Sequence, residues 1–228
     1  MKKIAIIPAY NERDSIVETI RNLKENAPDF DYIIINDCSR DDTMDICKYH
    51  DLNVINLPVN LGIGGAVQTG YLYAFNHNYD VAVQFDGDGQ HDASYLERMV
   101  DLLVEKELDM VIGSRFIENK GFQSSGIRRI GIKYFTFLIH LLFGQRITDA
   151  TSGMRLCNRK TMSLFMKEYP RDYPEPESVA RLLRHKYKVE EIPVIMHERV
   201  AGVSSISLSK SAYYMIKVSL AIFIERLR

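Results

Sequence analysis

Two kinds of hydrophobic pattern alternate along the first half of the chain. Short runs rich in isoleucine and valine are typical of buried strands, and segments whose apolar residues recur every three to four positions are typical of amphipathic helices. The predicted strands are Lys3–Ile7, Tyr32–Ile35, Asn53–Leu57, Val81–Phe85 and Met110–Ile112. The predicted helices are Ser15–Glu25, Asp42–His50, Gly64–Asn78 and Tyr95–Glu105. This order predicts βαβ units, and therefore an α/β fold with a mostly parallel sheet flanked by helices.

The second half is less regular. Its predicted elements are a helix at Ile130–Phe143, a strand at Met154–Cys157, a helix at Glu177–His185 and a strand at Val189–Met196. In the first half, Asp14 and Asp41 stand where helix N-caps are expected. No linker rich in proline, glycine and serine separates the halves. We therefore expect one domain over residues 1–207, followed by an amphipathic C-terminal helix over residues 208–228.

Composition limits the class of protein. The 228 residues are 46% hydrophobic and 26% charged, which is typical of a soluble globular chain. The cysteines, Cys38, Cys47 and Cys157, form no CxxC pair, so we expect reduced thiols in the core. The opening residues, MKKIAIIPAY, lack the cleavage site of a secretory signal, which predicts a cytoplasmic location.

Charge divides the chain more sharply than its net value of −1 suggests. Residues 1–114 carry 9 basic and 20 acidic side chains, a net charge of −11, whereas residues 115–228 carry 20 and 10, a net charge of +10. This asymmetry favours an acidic half that holds a metal and a basic half that faces an anion or a membrane. A chance partition of surface charge is the alternative.

The run VAVQFDGDGQHD contains the strongest candidate chemistry. Asp86 and Asp88 follow a buried strand, and the flanking glycines allow a turn that brings both carboxylates and the Gln90 amide around one cation. Oxygen ligands of this kind favour Mg²⁺ or Mn²⁺ over zinc. An acidic turn with a purely structural role is the alternative. We expect His91 to lie beside the metal ligands or to contact a phosphate.

Two other strand ends also carry polar groups. Pro8-Ala9-Tyr10-Asn11-Glu12 follows the first strand, and Asp37 follows the second, where its carboxylate could bind a ribose or a base. The run NLGIGGAVQTG lacks the third glycine of a dinucleotide fingerprint and follows the third strand instead of the first. We expect a close backbone approach to a phosphate there, near Gly64. A nucleotide therefore fits this edge of the sheet.

Seven runs in chain order resemble a known family. PAYNE, NDCSRDDT, NLGIGGA and DGDGQH are similar to the donor half of glycosyltransferase family 2, which has the Rossmann-like GT-A fold. GSR, DATSGMR and ERVAGVSS are similar to its dolichol-phosphate mannosyltransferase and polyprenyl-phosphate glycosyltransferase branch. The resemblance covers about residues 3–207. It departs from the branch at Ser205, where many relatives have lysine.

The resemblance implies roles for individual residues. Those implied to hold the nucleotide sugar are Pro8, Ala9, Tyr10, Glu12, Asp37, Gly64, Asp86 and Asp88, while Asp86, Asp88 and Gln90 would bind the metal. Those implied to bind the acceptor phosphate are Arg115, Ser125, Arg128, Arg129 and Arg199. Asp88, Glu177 and Arg199 are the expected catalytic residues.

Glu175 and Glu177 open a predicted helix, where acidic residues are favoured by the helix dipole alone. Alternatively, one of them is a general base, which a sugar hydroxyl acceptor requires and an ionised lipid phosphate does not. A third role is to hold the donor sugar.

Two apolar segments suggest contact with lipid. Ser207–Arg228 contains Lys217 and is too short to cross a bilayer cleanly, so we expect a helix in the membrane interface. Packing on the domain or a dimer contact is the alternative. The helix at Ile130–Phe143 follows Arg128 and Arg129, and its apolar surface would hold a polyprenyl tail unless it is a buried core helix.

These observations predict a metal-dependent inverting glycosyltransferase that moves a hexose from a UDP- or GDP-sugar to a polyprenyl phosphate. The expected location is the cytoplasmic face of the membrane, with peripheral attachment. Expected further partners are a second copy of the chain or a membrane protein, and no nucleic acid. The alternatives are transfer to a sugar hydroxyl of a cell-surface polysaccharide, and a non-catalytic nucleotide-sugar-binding or scaffold protein.

Overall fold

The computed structural model describes residues 1–118, 120–121, 126–198 and 208–228, with the side chains of 127, 128 and 208–212 excepted. Its first half contains every strand and helix predicted there, with boundaries shifted by a few residues. These elements are β1 (Lys3–Ala9), α1 (Ile16–Asn26), β2 (Phe30–Asn36), α2 (Thr43–Tyr49), β3 (Val54–Asn56), α3 (Gly62–Asn76), β4 (Val81–Gln84), α4 (Leu96–Glu105) and β5 (Met110–Ser114).

The second half adds one helix that was not predicted. Its elements are α5 (Gly126–Phe143), β6 (Arg155–Asn158), α6 (Arg159–Phe165), α7 (Pro174–Arg184), β7 (Val189–Pro193) and α8 (Leu208–Leu227). α6 has seven residues, too few for a helical period to stand out in the sequence. α7 begins three residues before the predicted start because Pro174 and Pro176 are tolerated in a first helical turn.

Two predicted N-caps are wrong by one position. Ser15, not Asp14, occupies the N-cap position of α1, and its side chain makes no capping hydrogen bond. Asp42, not Asp41, is the N-cap of α2. Asp41 nevertheless contributes, since its Oδ1 accepts a hydrogen bond from the Thr43 amide at 3.0 Å.

One sheet of seven strands organises the molecule, in the order β3-β2-β1-β4-β6-β5-β7. Every neighbouring pair is parallel except the two that involve β6, which is antiparallel to β4 and to β5. The predicted α/β class with a mostly parallel sheet is confirmed. The carboxyl ends of β1, β2, β4 and β5 therefore meet at one edge, which is where open sheets of this kind bind ligands.

Apolar layers cover both faces of the sheet. Along β1, Ile4 and Ile6 face one layer while Ala5 and Ile7 face the other, as the two-residue period of a strand requires. All three cysteines are free thiols, as predicted, although Cys38 is only partly buried.

The C-terminal helix packs on the domain with one of its faces. Val218, Ile222 and Glu225 of α8 are buried, and the helix contacts both α7 and α5. The packing role offered as an alternative is therefore present. Its other face remains exposed, as does part of α5. None of the described helices is long and apolar enough to cross a bilayer.

Candidate functional site

The loop after β4 carries the two acidic residues singled out by the sequence. The carboxylate of Asp86 lies between two buried side chains. Gln84 Nε2 donates to its Oδ1 at 3.0 Å, and His91 Nε2 lies 3.6 Å from its Oδ2. His91 is only 2% exposed, and its Nδ1 accepts a hydrogen bond from the Asp86 amide at 3.0 Å. A neutral His91 therefore carries its proton on Nε2, which faces the carboxylate.

Two glycines make room for this loop. A Cβ at Gly153 would lie 2.5 Å from Asp86 Oδ2, and a Cβ at Gly87 would lie 3.1 Å from the Pro8 carbonyl oxygen. The Gly87 carbonyl accepts a hydrogen bond from Thr19 Oγ1 at 3.1 Å. The position of Asp86 thus depends on a residue far along the chain that must have no side chain.

Asp88 and Gln90 complete the loop. Asp88 is buried, and its Oδ1 accepts the Gln90 amide hydrogen bond at 3.0 Å. Gln90 is linked twice to His197, because its Nε2 donates to the His197 carbonyl at 3.2 Å and its own carbonyl accepts from the His197 amide at 2.9 Å. The side-chain amide nitrogen of Gln90 therefore faces the segment that follows β7.

The donor set of this loop fits a hard divalent cation. Within the described ranges, no group of three or more His, Cys, Asp and Glu side chains is arranged to hold a metal. Mg²⁺ commonly takes only one or two protein carboxylates and fills its other positions with water and substrate phosphates. Two carboxylates at a ligand-binding edge suit a cation that is shared with a phosphate better than one held in an all-protein cage.

Asp37 closes the neighbouring strand end. Its two carboxylate oxygens accept hydrogen bonds from the amides of Leu61 at 2.6 Å and Gly62 at 2.9 Å, at the start of α3. Burial raises the pKa of Asp37, and these two backbone donors oppose that rise. The side chain is therefore first of all a cap for α3, and a contact with a nucleotide would have to use its remaining lone pairs.

The strand end before α1 is more open. Pro8 and Ala9 are buried at the end of β1, whereas Tyr10 is 42% exposed. The Glu12 carboxylate accepts a hydrogen bond from Ser15 Oγ at 2.8 Å. The backbone amide of Glu12 donates to Thr43 Oγ1 at 2.9 Å. These contacts hold the loop against the start of α2.

The prediction for Gly64 needs correction. Its amide donates to the Arg171 carbonyl at 3.0 Å, and a Cβ there would lie 2.0 Å from the Pro170 carbonyl oxygen. The close backbone approach expected at this glycine is therefore made to the chain's own residues 170–171, and not to a phosphate.

Arg115 is held by an acidic partner. Its Nε and Nη2 form a forked ion pair with Asp149 Oδ2 and Oδ1, at 2.7 and 2.8 Å. Asp149 is fully buried, and its amide donates to Glu191 Oε1 at 2.8 Å. The predicted phosphate ligand Arg115 thus already has a carboxylate on one edge of its guanidinium group.

The structure separates the two glutamates at the start of α7. Burial raises the pKa of Glu175 to about 7; Arg155 opposes the rise, Asp86 adds to it and Arg115 opposes it. Glu177 instead accepts a hydrogen bond from Arg181 Nη2 at 3.2 Å. Residues two positions apart point about 200° apart around a helix, so only one of them faces the site. The charge of Asp86 acts on Glu175, while Glu177 pairs with Arg181, and the expected catalytic role of Glu177 stays a prediction.

Comparison with known proteins decides the family. The sequence matches the profile of Glycosyl transferase family 2 over residues 4–165. The chain belongs to this family. It is therefore a glycosyltransferase, as the resemblance implied.

Relatives of this family 2 enzyme include transferases named for lipid phosphates. The chain is 28% identical to UDP-N-acetylglucosamine–dolichyl-phosphate N-acetylglucosaminyltransferase of Methanococcus voltae, with 83% of each chain covered. It is also 28% identical to undecaprenyl-phosphate mannosyltransferase of Micrococcus luteus, over 91% of this chain and 88% of that one. The predicted branch of the family is confirmed.

A solved structure confirms the GT-A fold. Glucosyl-3-phosphoglycerate synthase from Mycobacterium tuberculosis, crystallised with Mn²⁺, UDP-glucose and phosphoglyceric acid, superposes with a TM-score of 0.73. The match covers 99% of this chain and 79% of that chain at 16% identity.

The predicted acceptor residues of the transferase are only partly among the described residues. Ser125, Arg199 and the side chain of Arg128 lie outside the described residues. Arg129 is exposed in the first turn of α5.

The residues that hold the site together were not predicted from the sequence. Gln84, Asp149, Gly153 and Arg155 received no individual role, although the last three belong to a run that carried the resemblance. A signal was present for two of them. Gln84 and Arg155 are polar residues inside otherwise apolar strands, where a buried polar side chain needs a specific partner.

Proposed function

We propose that this glycosyltransferase moves a hexose from a nucleotide diphosphate sugar to a polyprenyl phosphate in one inverting step, with Mg²⁺ or Mn²⁺ as cofactor. The observation that carries the proposal is the loop after β4, where Asp86 and Asp88 are fixed at the ligand-binding edge of the sheet. The names of the relatives supply the acceptor class.

The donor would lie across the ends of β1, β2 and β4. Asp86 and Asp88 would hold the divalent ion, which, when bound, would neutralise charge on the departing nucleotide diphosphate. Tyr10 is exposed beside this edge and offers an aromatic face to a base. Glu175, whose carboxyl group interacts electrostatically with that of Asp86, would contact the donor sugar.

The acceptor phosphate would be bound by basic residues of the positively charged half. Arg129 is exposed in the first turn of α5, next to Arg128 in the sequence, and we propose that Arg199 joins them. A lipid monophosphate is ionised near neutral pH and is already a nucleophile. Orienting its oxygen behind the anomeric carbon would therefore supply much of the rate enhancement.

A membrane surface would present this acceptor. α5 exposes Ile130, Phe137 and Leu141, which recur at helical spacing and are 71%, 62% and 65% exposed. α8 exposes a matching row, Ile216, Leu220, Phe223 and Leu227. Tyr134 and Ser219 join the two helices by a hydrogen bond of 3.0 Å.

Basic side chains accompany the exposed rows. Arg129 and Lys133 on α5, Arg226 on α8 and Arg228 directly after α8 are all exposed. An apolar surface with basic neighbours suits a bilayer that contains anionic lipids. We propose that both helices attach the enzyme peripherally to the cytoplasmic face of the membrane.

A panel of nucleotide sugars tests the reaction. Each UDP- and GDP-hexose is incubated with a short polyprenyl phosphate and Mn²⁺ or Mg²⁺, and transfer is scored by product mass. We expect one donor to be used and the product to have the inverted anomeric configuration. Failure of every donor with every polyprenyl phosphate would refute the proposal.

The metal assignment has a matched control. Asp88→Asn should abolish transfer and weaken Mn²⁺ binding measured by electron paramagnetic resonance, whereas Asp101→Asn, on the exposed side of α4, should change neither. Transfer retained by Asp88→Asn would remove the ion from this loop. Arg199→Ala should raise the KM for the lipid phosphate far more than the KM for the donor; equal effects would place Arg199 elsewhere.

Membrane attachment is better tested by substitution than by deletion, because removal of residues 208–228 would also remove the buried Val218 and Ile222. We expect the double variant Leu220→Ser/Phe223→Ser to lose binding to vesicles that contain phosphatidylglycerol. A matched exposed change on the opposite side of the fold, Val104→Ser, should bind normally. Unchanged vesicle binding by the double variant would leave α8 with a packing role alone.

Transfer to a sugar hydroxyl is the second candidate, and Glu175 favours it. A carboxyl group with a pKa of about 7 is suited to act as a general base at neutral pH. Glu175→Gln separates the two candidates. If the acceptor is a hydroxyl, the rate should fall by about 100-fold or more; if the acceptor is a lipid phosphate, the main effect should be on the donor KM.

A further inference from the structure

Arg155 is completely buried in the interior of the sheet, on the fifth of its seven strands. It lies on β6, opposite Gln84 of β4 on one side and Ile112 of β5 on the other. Its guanidinium group donates four hydrogen bonds, all between 2.6 and 2.8 Å. The acceptors are the carbonyls of Ala150, Ser152 and Glu175 and the hydroxyl of Ser178.

Stability alone does not explain a guanidinium group at this position. Taking such a cation out of water costs several kcal/mol, and in the described residues no carboxylate accepts a hydrogen bond from Arg155. The next residues of β6, Leu156 and Cys157, are apolar and fully buried. Replacing buried ionic groups by apolar side chains of similar volume is often neutral or stabilising in other proteins.

The charge also lies at an unfavourable end of a helix. Arg155 donates to the carbonyl of Glu175 in the first turn of α7, where the helix dipole is positive and disfavours a cation. The nearby Glu175 carboxylate compensates, since its charge interacts favourably with Arg155. Burial of this side chain therefore has a free-energy cost, which its hydrogen bonds to two separate segments must offset.

Those two segments carry the residues of the site. The first segment, residues 149–153, contains Asp149, which holds Arg115, and Gly153, whose missing side chain leaves room for the Asp86 carboxylate. Arg155 restrains the backbone of this segment, because it donates hydrogen bonds to the two carbonyls on either side of Thr151. The second segment is the start of α7, which carries Glu175.

We propose that Arg155 is a positioning residue, which joins residues 149–153 to the start of α7 so that Asp86, Arg115 and Glu175 keep their mutual placement during transfer. The inference rests on the proposed function for its activity readout. Its physical basis is that four hydrogen bonds from one rigid planar group fix distance and orientation together. A flexible ammonium group at the same place has three donors and no fixed plane.

Arg155→Lys is the main test, because it keeps the positive charge and removes the planar guanidinium group with its four hydrogen bonds. Arg159→Lys is the matched control, since Arg159 lies on α6 and bonds to Tyr79 and Asn78. With the donor chosen by the panel and Mn²⁺ saturating, we expect Arg155→Lys to lower kcat by about 10- to 100-fold with the donor KM changed less than threefold. The control should change kcat by less than twofold.

Two further measurements test the role of Arg155 without the kcat of the lysine variant. Mn²⁺ titration of the protein alone should show weaker binding by about fivefold or more in Arg155→Lys, because a displaced Gly153 would no longer leave the same room for the Asp86 carboxylate. If Arg155→Lys does not fold, Ser178→Ala, which removes only one acceptor, decides instead, and we expect kcat to fall by about threefold to tenfold.

Several results would overturn the proposal. The first is a folded Arg155→Lys variant whose kcat and Mn²⁺ affinity are within twofold of the parent. The second is a loss of kcat that is fully explained by the fraction of the variant that is unfolded in the assay, as determined from its urea titration. The third, where the lysine variant does not fold, is a Ser178→Ala variant with unchanged kcat. An inactive parent enzyme would instead count against the proposed function, and the Mn²⁺ titration would still test the placement of Asp86.

Discussion

The attachment of α8 to α7 gives a prediction whose size follows from the structure. Glu225 on α8 is 1% exposed and lies between two arginines of α7. Arg181 Nη2 is 2.7 Å from its Oε1, and Arg184 Nε is 3.1 Å from its Oε2. Glu225→Gln keeps the shape of the side chain and removes its charge, so both arginines lose their carboxylate at this contact.

Removing one partner of a buried ion pair typically costs about 3 to 5 kcal/mol. Arg181 keeps Glu177 at 3.2 Å and the Glu168 carbonyl at 3.1 Å, which places the expected loss near 3 kcal/mol, the lower end of that range. For a chain of this size, that loss corresponds to a decrease in Tm of about 6 to 12 °C.

Urea unfolding followed by far-UV circular dichroism measures this loss, and hydrogen exchange of the α8 amides shows whether the helix separates first. Lys217→Gln is the control, because its ion pair with Asp172 is exposed and should contribute about 1 kcal/mol or less. A loss in Glu225→Gln no larger than in Lys217→Gln would refute the view that a buried charge cluster holds α8.

Three further predictions concern the site. The pKa of Glu175 is about 7 in the folded protein against 4.5 for the free side chain, so the folded state binds more protons between these values and stability falls as pH rises through them. Glu175→Gln should flatten this decline in urea unfolding between pH 5 and 7, and an unchanged slope would contradict it. Asp37→Asn leaves one amide at the start of α3 without an acceptor and should lower the free energy of unfolding by about 1 to 3 kcal/mol; a loss below about 0.5 kcal/mol would contradict the capping role. Gly153→Ala should push the Asp86 carboxylate aside and weaken Mn²⁺ binding by about tenfold, roughly 1.4 kcal/mol, and equal Mn²⁺ affinity would show that the contact does not matter.

Local pattern was enough for most of the secondary structure. The strands and helices of the first half follow from two-residue and three-to-four-residue periods, which depend only on near neighbours in the chain. α6 was missed because seven residues contain too few repeats of a helical period. α7 begins earlier than predicted because its first turn contains Pro174 and Pro176, which a helix tolerates only at that end.

The acidic loop was also accessible from the sequence. Asp86 and Asp88 directly follow a buried apolar strand, and strand ends in a parallel sheet meet at one edge whatever the strand order. Glu175 and Glu177 were harder to separate. Their roles depend on which helix face packs against α8, and that is set by Arg181 and Glu225.

The sequence alone determined the α/β class, the family and the acidic strand end, because each depends on residues close together in the chain. Only the tertiary structure decided the insertion of antiparallel β6 between β4 and β5, which brings Arg155 opposite Gln84. The contacts of Arg155, Asp149 and Gly153 join segments that are distant along the chain, and a side chain's partners across such distances are set by packing and strand register, which no local pattern encodes.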